Sequence, residues 1–310
     1  MLIDFICQKS LLEREYVISL IEKANGHYFR FTIPKANGGS RTIYRPSNEL
    51  KAIQRIVHDS ILAKLPNHDA AMAYKKGCNI HSHAMIHSNK RFVLRMDFKN
   101  FFSSISDRDV CRFANTVIKN SIDEWTDIDT EYFSKLVCYK GNLVMGAVTS
   151  PSLTNAMCFE LDKRLCEASS EKLVTYTRYS DDLYFSTDAP GVLRKFEIKV
   201  KKVLSDLESP SSLSINFTKT YHSSKKRKVM VTGLVLTNDG IVSVGRDKKR
   251  EIRSYIFNWD SLPEEKRVYL SGYLSYLGSV EPEFINSVCQ KYGAELIRRI
   301  IQFNSVKICK

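Results

Sequence analysis

Two short segments of this chain carry carboxylates at positions where they could do chemistry. Tyr179-Ser180-Asp181-Asp182 sits between two apolar-aromatic runs, 173–178 and 183–186. Runs rich in Val, Thr, Tyr and Phe around a short polar junction predict a β-hairpin, which would place the two acids side by side at its tip. Like charges held so close repel unless a divalent cation bridges them. A third acid ends the apolar run Phe92-Val93-Leu94-Arg95-Met96-Asp97, and Phe98-Lys99-Asn100-Phe101-Phe102 follows at once. Asp97, Asp181 and Asp182 together predict a carboxylate site for two Mg²⁺ ions, which would activate an attacking 3′-hydroxyl and stabilise a leaving pyrophosphate. A bare Tyr-x-Asp-Asp also describes an ordinary surface turn, so its surroundings decide between the two.

The elements that must position these acids are legible as periodic runs. Ser10-Leu11-Leu12-Glu13 reads as a capping box opening a helix with Val17, Leu20 and Ile21 on one face and Asn25-Gly26 as its stop. Ile53, Ile56, Val57, Ile61 and Leu65 recur at helical spacing until Pro66. Ser106-x-x-Asp109 opens a helix carrying Val110, Phe113 and Val117, and 130–138 predicts another. Ser150 as cap and Pro151 in the first turn open a helix with Leu153, Met157, Leu161 and Leu165. Leu193, Phe196, Val200, Val203 and Leu207 mark one more. Strands alternating with helices predict an α+β fold. From Gly245 onward the pattern is helical throughout, about three helices.

Outward from the acids, the chain resembles reverse transcriptases block by block. Residues 33–43, with Lys35 and Arg41, look like the fingers hairpin, and Ala73-Tyr74-Lys75-Lys76-Gly77 is similar to the element leading toward the palm. The Asp97 strand follows. Residues 145–155 resemble the Gln-Gly-x-Pro-x-Ser-Pro-x-x-x-Asn segment that shapes the nucleotide pocket, with Met145 in place of Gln and Val148 in place of Pro. The Asp181 hairpin, Ile215-Asn216-Phe217-Thr218-Lys219-Thr220 and Val231-Thr232-Gly233-Leu234-Val235-Leu236 complete the order. Within the family the chain looks like a bacterial retron reverse transcriptase: it is short, carries Val231-Thr232-Gly233, and has His83-Ala84-Met85-Ile86-His87, close to the Asn-Ala-x-x-His of retron enzymes. His83 departs from that pattern.

The resemblance implies a right-hand polymerase: an N-terminal helix and fingers over 1–90, a palm with an antiparallel sheet over 91–243, and a helical thumb over 244–310. It implies that Lys35 and Arg41 grip the incoming triphosphate and that Lys219 approaches the leaving pyrophosphate, where a cation offsets developing charge. A solvated surface lysine is the alternative. Phe102, five residues past Asp97, takes the place of the aromatic gate that crowds a ribose 2′-OH; a core phenylalanine is its rival. Gly146 would let backbone approach the templating pair closely, or serve as a simple turn glycine. His81, His83 and His87 with Cys78 lack paired zinc-ligand spacing and read as part of the retron-type segment. The run 225–228 reads as a solvated face. Arg246, Lys248, Lys249, Arg250 and Arg253 are interleaved with Tyr255, Phe257 and Trp259 and suit structured RNA or a primer-template duplex, with a solvated face as the alternative.

Composition agrees with a nucleic-acid partner. Lys and Arg number 47 against 34 Asp and Glu, a net charge of +13, which favours phosphate backbones. No apolar run reaches the roughly 20 residues of a spanning helix, and the start resembles no signal peptide, so no membrane partner is expected. The 8 cysteines form no Cys-x-x-Cys pair and read as reduced thiols of a cytoplasmic protein. The expected activity is RNA-directed DNA polymerisation from deoxynucleoside triphosphates. The retron resemblance implies that the template and primer are a structured non-coding RNA, that the product is a branched RNA–DNA hybrid, and that a separate effector protein completes an antiphage system. No ribonuclease H or intron-maturase extension is visible. The alternatives are another bacterial reverse transcriptase, of the intron or abortive-infection kind, or an RNA-binding scaffold or antitoxin subunit.

Overall fold

The strand-forming runs around Asp97 and Asp181 come together in a single sheet. The computed structural model describes residues 1–34 and 38–303. Its strands are β1 (Tyr28–Pro34), β2 (Ser40–Pro46), β3 (Phe92–Asp97), β4 (Thr175–Tyr179), β5 (Asp182–Thr187), β6 (Tyr221–Ser224), β7 (Val229–Val231), β8 (Leu234–Leu236) and β9 (Val242–Ser243). The central sheet has the order β4-β5-β3-β6, and β1-β2 and β7-β8-β9 form two further sheets. Around them lie α1 (Leu2–Ser10), α2 (Arg14–Glu22), α3 (Asn48–Ser60), α4 (Ile80–His87), α5 (Phe101–Ser104), α6 (Asp107–Phe113), α7 (Lys119–Ser121), α8 (Asp127–Val137), α9 (Ser150–Met157), α10 (Phe159–Ser170), α11 (Val192–Ser205), α12 (Arg246–Phe257), α13 (Glu264–Val280), α14 (Pro282–Tyr292) and α15 (Ala294–Ile301). The α+β class expected from the alternation of strands and helices is the one observed.

Two compact units divide the chain, one of residues 1–77 and 94–222, the other of residues 78–93 and 223–310. The first unit takes in everything from the N-terminal helices through the Asp181 hairpin, apart from residues 78–93. Its core buries Leu2, Ile6, Ile21, Leu50, Ile53, Phe133 and Phe185 completely, and each such side chain contributes about 1.5–3 kcal/mol by leaving water. Ser106 and Asp109 form the capping box expected for α6, and Thr126 and Asp129 form another for α8.

Several local expectations are corrected. Ser10 does not open a helix: Leu2, Ile3 and Ile6 turn inward and carry α1 through Ser10, and Leu11 ends it in the left-handed region. The α2 helix starts at Arg14 with no side-chain cap. Ser150 is the first residue of α9 rather than its cap, a position that Thr149 takes without a side-chain bond, while Pro151 does lie in the first turn.

The second unit packs α4 on the β7-β8-β9 sheet, with His83, Ala84 and His87 as its buried face. Among the described residues the helical run from Gly245 forms four helices where about three were expected, because Gly293, with φ 92°, adopts a backbone few other residues take and separates α14 from α15. Their shared core joins Ile252, Ile256, Trp259, Leu270, Leu274, Leu277, Phe284, Val288, Ile297 and Ile300.

Candidate active site

Strand register decides where the acids go. In the β4-β5 hairpin Tyr179 faces Asp182, so Ser180 and Asp181 alone form the turn. Ser180 has φ 59°, a conformation that tight hairpin turns need and that glycine or asparagine usually supplies. A backbone bond fixes this turn against the end of β3, the Phe98 N–H donating to the Asp181 carbonyl at 2.9 Å, and a second joins that strand end to the 216 segment, the Asn216 N–H donating to the Asp97 carbonyl at 2.7 Å. The latter contact delivers Lys219, whose Nζ donates to both carboxylate oxygens of buried Asp97 at 3.0 Å.

The acids do not converge as one cluster. Asp182 is turned to Arg95 on β3, two residues before Asp97. The Arg95 guanidinium donates through Nε and Nη2 to Oδ1 at 3.0 and 2.9 Å and through Nη2 to Oδ2 at 2.9 Å. Among the described residues no three His, Cys, Asp or Glu side chains are grouped closely enough to hold a metal. Burial raises the Asp181 pKa, and the neighbouring Asp97 charge adds to this, while Lys219 and Arg41 oppose it. Burial likewise lifts Asp182 to about 6, outweighing Arg95. Asp97 and Asp181 offer hard oxygen ligands that suit Mg²⁺, and the repulsion between them is of the kind a divalent cation relieves.

A cleft of about 910 Å³ opens in front of Asp181, and Arg41, Arg95, Phe102, Met145 and Lys219 also line it. Four residues singled out from different stretches of the sequence, Arg41, Phe102, Asp181 and Lys219, therefore share one cavity. Phe101 and Phe102 both line the cleft and differ in burial: Phe101 is buried and stacks on Phe98 with ring centroids 5.4 Å apart, whereas Phe102 is half-buried. Gly146, with φ 108°, is pressed against the fingers hairpin, where a Cβ would come within 2.5 Å of the Tyr44 carbonyl oxygen. The Tyr44 N–H donates to the Met145 carbonyl at 2.9 Å. Lys35 lies outside the described residues.

In the second unit the five basic residues of α12 differ in their surroundings. Arg246 and Arg250 are exposed. Lys248 pairs with Glu251 at 2.6 Å and lies over the rings of Tyr269 and Tyr273. Lys249 pairs with Glu281, which also accepts from Ser243 Oγ and the Val244 N–H. Arg253 stacks over Phe284, centroid distance 5.0 Å.

Sequence reasoning does not single out Arg95 and Arg178 as site residues. Each is a charged residue inside an apolar strand run, 92–97 and 173–178, and that is the available signal, since a charge in such a run needs a partner.

A family model described as reverse transcriptase (RNA-dependent DNA polymerase) matches residues 33–236. The chain is 32% identical to the Retron Ec83 reverse transcriptase of Escherichia coli over 94% of its own length and 95% of the relative's. It is also 32% identical to the Retron Ec73 reverse transcriptase of the same species, over 86% and 87%. With the Retron Mx162 reverse transcriptase of Myxococcus xanthus it shares 34% identity, over 75% of this chain and 52% of that one. Among solved structures, a telomerase from Candida albicans with a telomeric RNA fragment aligns with TM-score 0.48 at 12% identity, covering 90% of this chain and 66% of that one. A foamy viral protease-reverse transcriptase with an RNA/DNA hybrid aligns with TM-score 0.45 at 14% identity, covering 89% and 33%. The chain belongs to the reverse transcriptases, RNA-directed DNA polymerases of right-hand architecture, and within them to the retron reverse transcriptases. No helix among the described residues is long and apolar enough to cross a membrane.

Proposed function

We propose that this polymerase copies its own structured non-coding RNA into DNA, starting from a guanosine 2′-OH of that RNA, and retains the branched RNA–DNA hybrid as part of a cytoplasmic antiphage system with a separate effector protein. Likeness to retron enzymes over nearly the full length of both chains supports this reading. The observation that carries the catalytic part is one cavity lined by Asp181, Arg41 and Lys219, with Lys219 bonded to Asp97 beside it.

Asp97 and Asp181 would hold two Mg²⁺ ions, with Asp182 acting less directly. When bound, the ions supply Lewis acidity for hydroxyl attack and for pyrophosphate departure. Arg41 reaches into the cleft as a fixed cation for the triphosphate, joined in this proposal by Lys35. Lys219 pairs with Asp97 and lines the cleft, where its cation would offset charge developing on the leaving phosphate or supply a proton. The Phe102 ring faces the same space and would crowd a ribose 2′-OH. Gly146 holds the pocket segment against the fingers strand, so its role is to shape the pocket wall. Arg246 and Arg250 present the exposed charges for cognate RNA, and Lys248, Lys249 and Arg253 add to that field while tied within their unit.

Purifying the full chain from its host and sequencing the nucleic acid that accompanies it tests this reading. A DNA joined through a 2′–5′ branch to one RNA species is expected. RNA without attached DNA would overturn it in favour of an RNA-binding scaffold.

A further inference from the structure

Ser180 presents Asp181 from a strained turn, and a buried arginine stands directly behind it. Arg178 and Asp162 are both 0% exposed. The Arg178 guanidinium donates from Nη2 to Asp162 Oδ2 at 2.6 Å and from Nε to both carboxylate oxygens at 2.9 and 3.2 Å. Tyr176 donates its hydroxyl to the same carboxylate at 2.7 Å. The remaining nitrogen, Nη1, is divided between Asn155 Oδ1 at 3.1 Å and the carbonyl oxygen of Ser180 at 3.2 Å. Asn155 in turn donates to the Ala73 carbonyl at 2.8 Å, next to Tyr74, whose hydroxyl lies 3.0 Å from Ser180 Oγ. One side chain thus links α9, α10 and the 70–74 segment to the carbonyl that precedes Asp181.

Both charges are fully shielded from solvent. Replacing both members of a buried pair by apolar groups of similar size is often neutral for stability, so such a pair is weak evidence of a purely stabilising role. The planar fork supplies several donors in fixed directions, and an ammonium on a flexible stem cannot reach two helices and a turn carbonyl together. Left without its bond, the Ser180 carbonyl would be a buried acceptor in a backbone conformation that a serine adopts at a cost.

We propose that Arg178 is a positioning residue for catalysis, acting through the Ser180 carbonyl to hold the left-handed turn that aims Asp181 into the cleft. Asp162 and Asn155 fix the guanidinium, and Tyr176 fixes Asp162. The proposal rests on Asp181 being a metal ligand. Misplacing a ligand by about 1 Å costs on the order of 10²-fold in rate.

The test uses the full chain with a DNA-primed generic RNA template, deoxynucleotides and a Mg²⁺ titration. In the variant Arg178→Met/Asp162→Leu/Tyr176→Phe the network is replaced by apolar groups, and circular dichroism and thermal melting report whether it folds. Expected are a kcat lower by about 10²-fold, a higher Mg²⁺ concentration for half-maximal rate, and an unchanged KM for primer-template. Adding Ser180→Gly, which adopts a positive φ freely, should then recover at least part of the missing kcat. A folded variant with normal kcat and Mg²⁺ dependence overturns the proposal, as does a deficit that the glycine does not relieve. Should that variant not fold, Arg178→Lys, which keeps the charge opposite Asp162 and gives up the fork, must still lower kcat; normal kcat in it is equally fatal. Asp181→Asn, made separately, distinguishes the two premises: full activity there refutes the metal-ligand reading whatever the Arg178 variants do.

Discussion

Asp182 closes a two-pronged ion pair with Arg95, although its neighbour Asp181 faces the cleft. Two adjacent acids of one hairpin therefore have different surroundings, and their substitutions should not be equivalent. Asp181→Asn is expected to abolish deoxynucleotide incorporation on a primed RNA template, a loss of at least roughly 10²–10³-fold, as for a group that stabilises transition-state charge. Asp182→Asn should leave more residual activity, because its first effect is to release Arg95. RNA binding, measured by filter retention, should survive both. Near-normal incorporation by Asp181→Asn refutes the catalytic assignment.

Both rings border the cleft, but Phe102 is the more exposed and Phe101 is buried against Phe98. Phe102→Val should raise the ratio of ribonucleotide to deoxynucleotide kcat/KM by about 10–100-fold, the scale on which apolar pockets discriminate. Phe101→Val should instead lower thermal stability and leave that ratio unchanged. Equal ratios in all three proteins would return Phe102 to a packing role.

The surroundings of the α12 cations separate RNA contact from internal support. Arg246→Glu/Arg250→Glu should weaken cognate RNA binding and reduce its log–log salt slope by about two, roughly one for each phosphate no longer neutralised, with no change in melting temperature. Lys249→Glu should lower the melting temperature, since it sets two carboxylates against each other at Glu281. Unaltered RNA affinity in the Arg246/Arg250 variant would mean that this face is only solvated.

His83 and His87 lie buried between α4 and the β7-β8-β9 sheet, and burial depresses their pKa values to about 4 and about 3. The unfolded chain binds protons from about pH 6.5 downward and the folded chain does not. Stability is therefore unaffected by these groups above pH 6.5 and falls as pH drops below it, by up to about 1.4 kcal/mol per pH unit for each histidine until its folded pKa is reached. Urea denaturation at pH 7.5 and 5.0 checks this, and His87→Leu should flatten the difference. A wild-type midpoint independent of pH over that interval would contradict it.

Local chemistry in the sequence determined much of the site. Runs rich in Val, Thr, Tyr and Phe around a polar junction specified the β4-β5 hairpin, an apolar strand ending in Asp97 specified its neighbour, and the resemblance to reverse transcriptases pointed to Arg41, Phe102 and Lys219, which the fold brings to one cleft with Asp181. Such signals depend on neighbours a few residues apart. What tertiary structure decided depends on residues far apart in the chain: that Asp182 turns to Arg95, 87 residues earlier, that Gly146 backs onto Tyr44, and that Arg178 finds Asp162 and Asn155 in the interior. Ser10 shows the same limit, because its capping pattern was locally sound and yielded to the burial of Leu2, Ile3 and Ile6. A buried charge, a close backbone approach and a helix end are settled by whatever packs against them, and that is fixed only when the whole chain has folded.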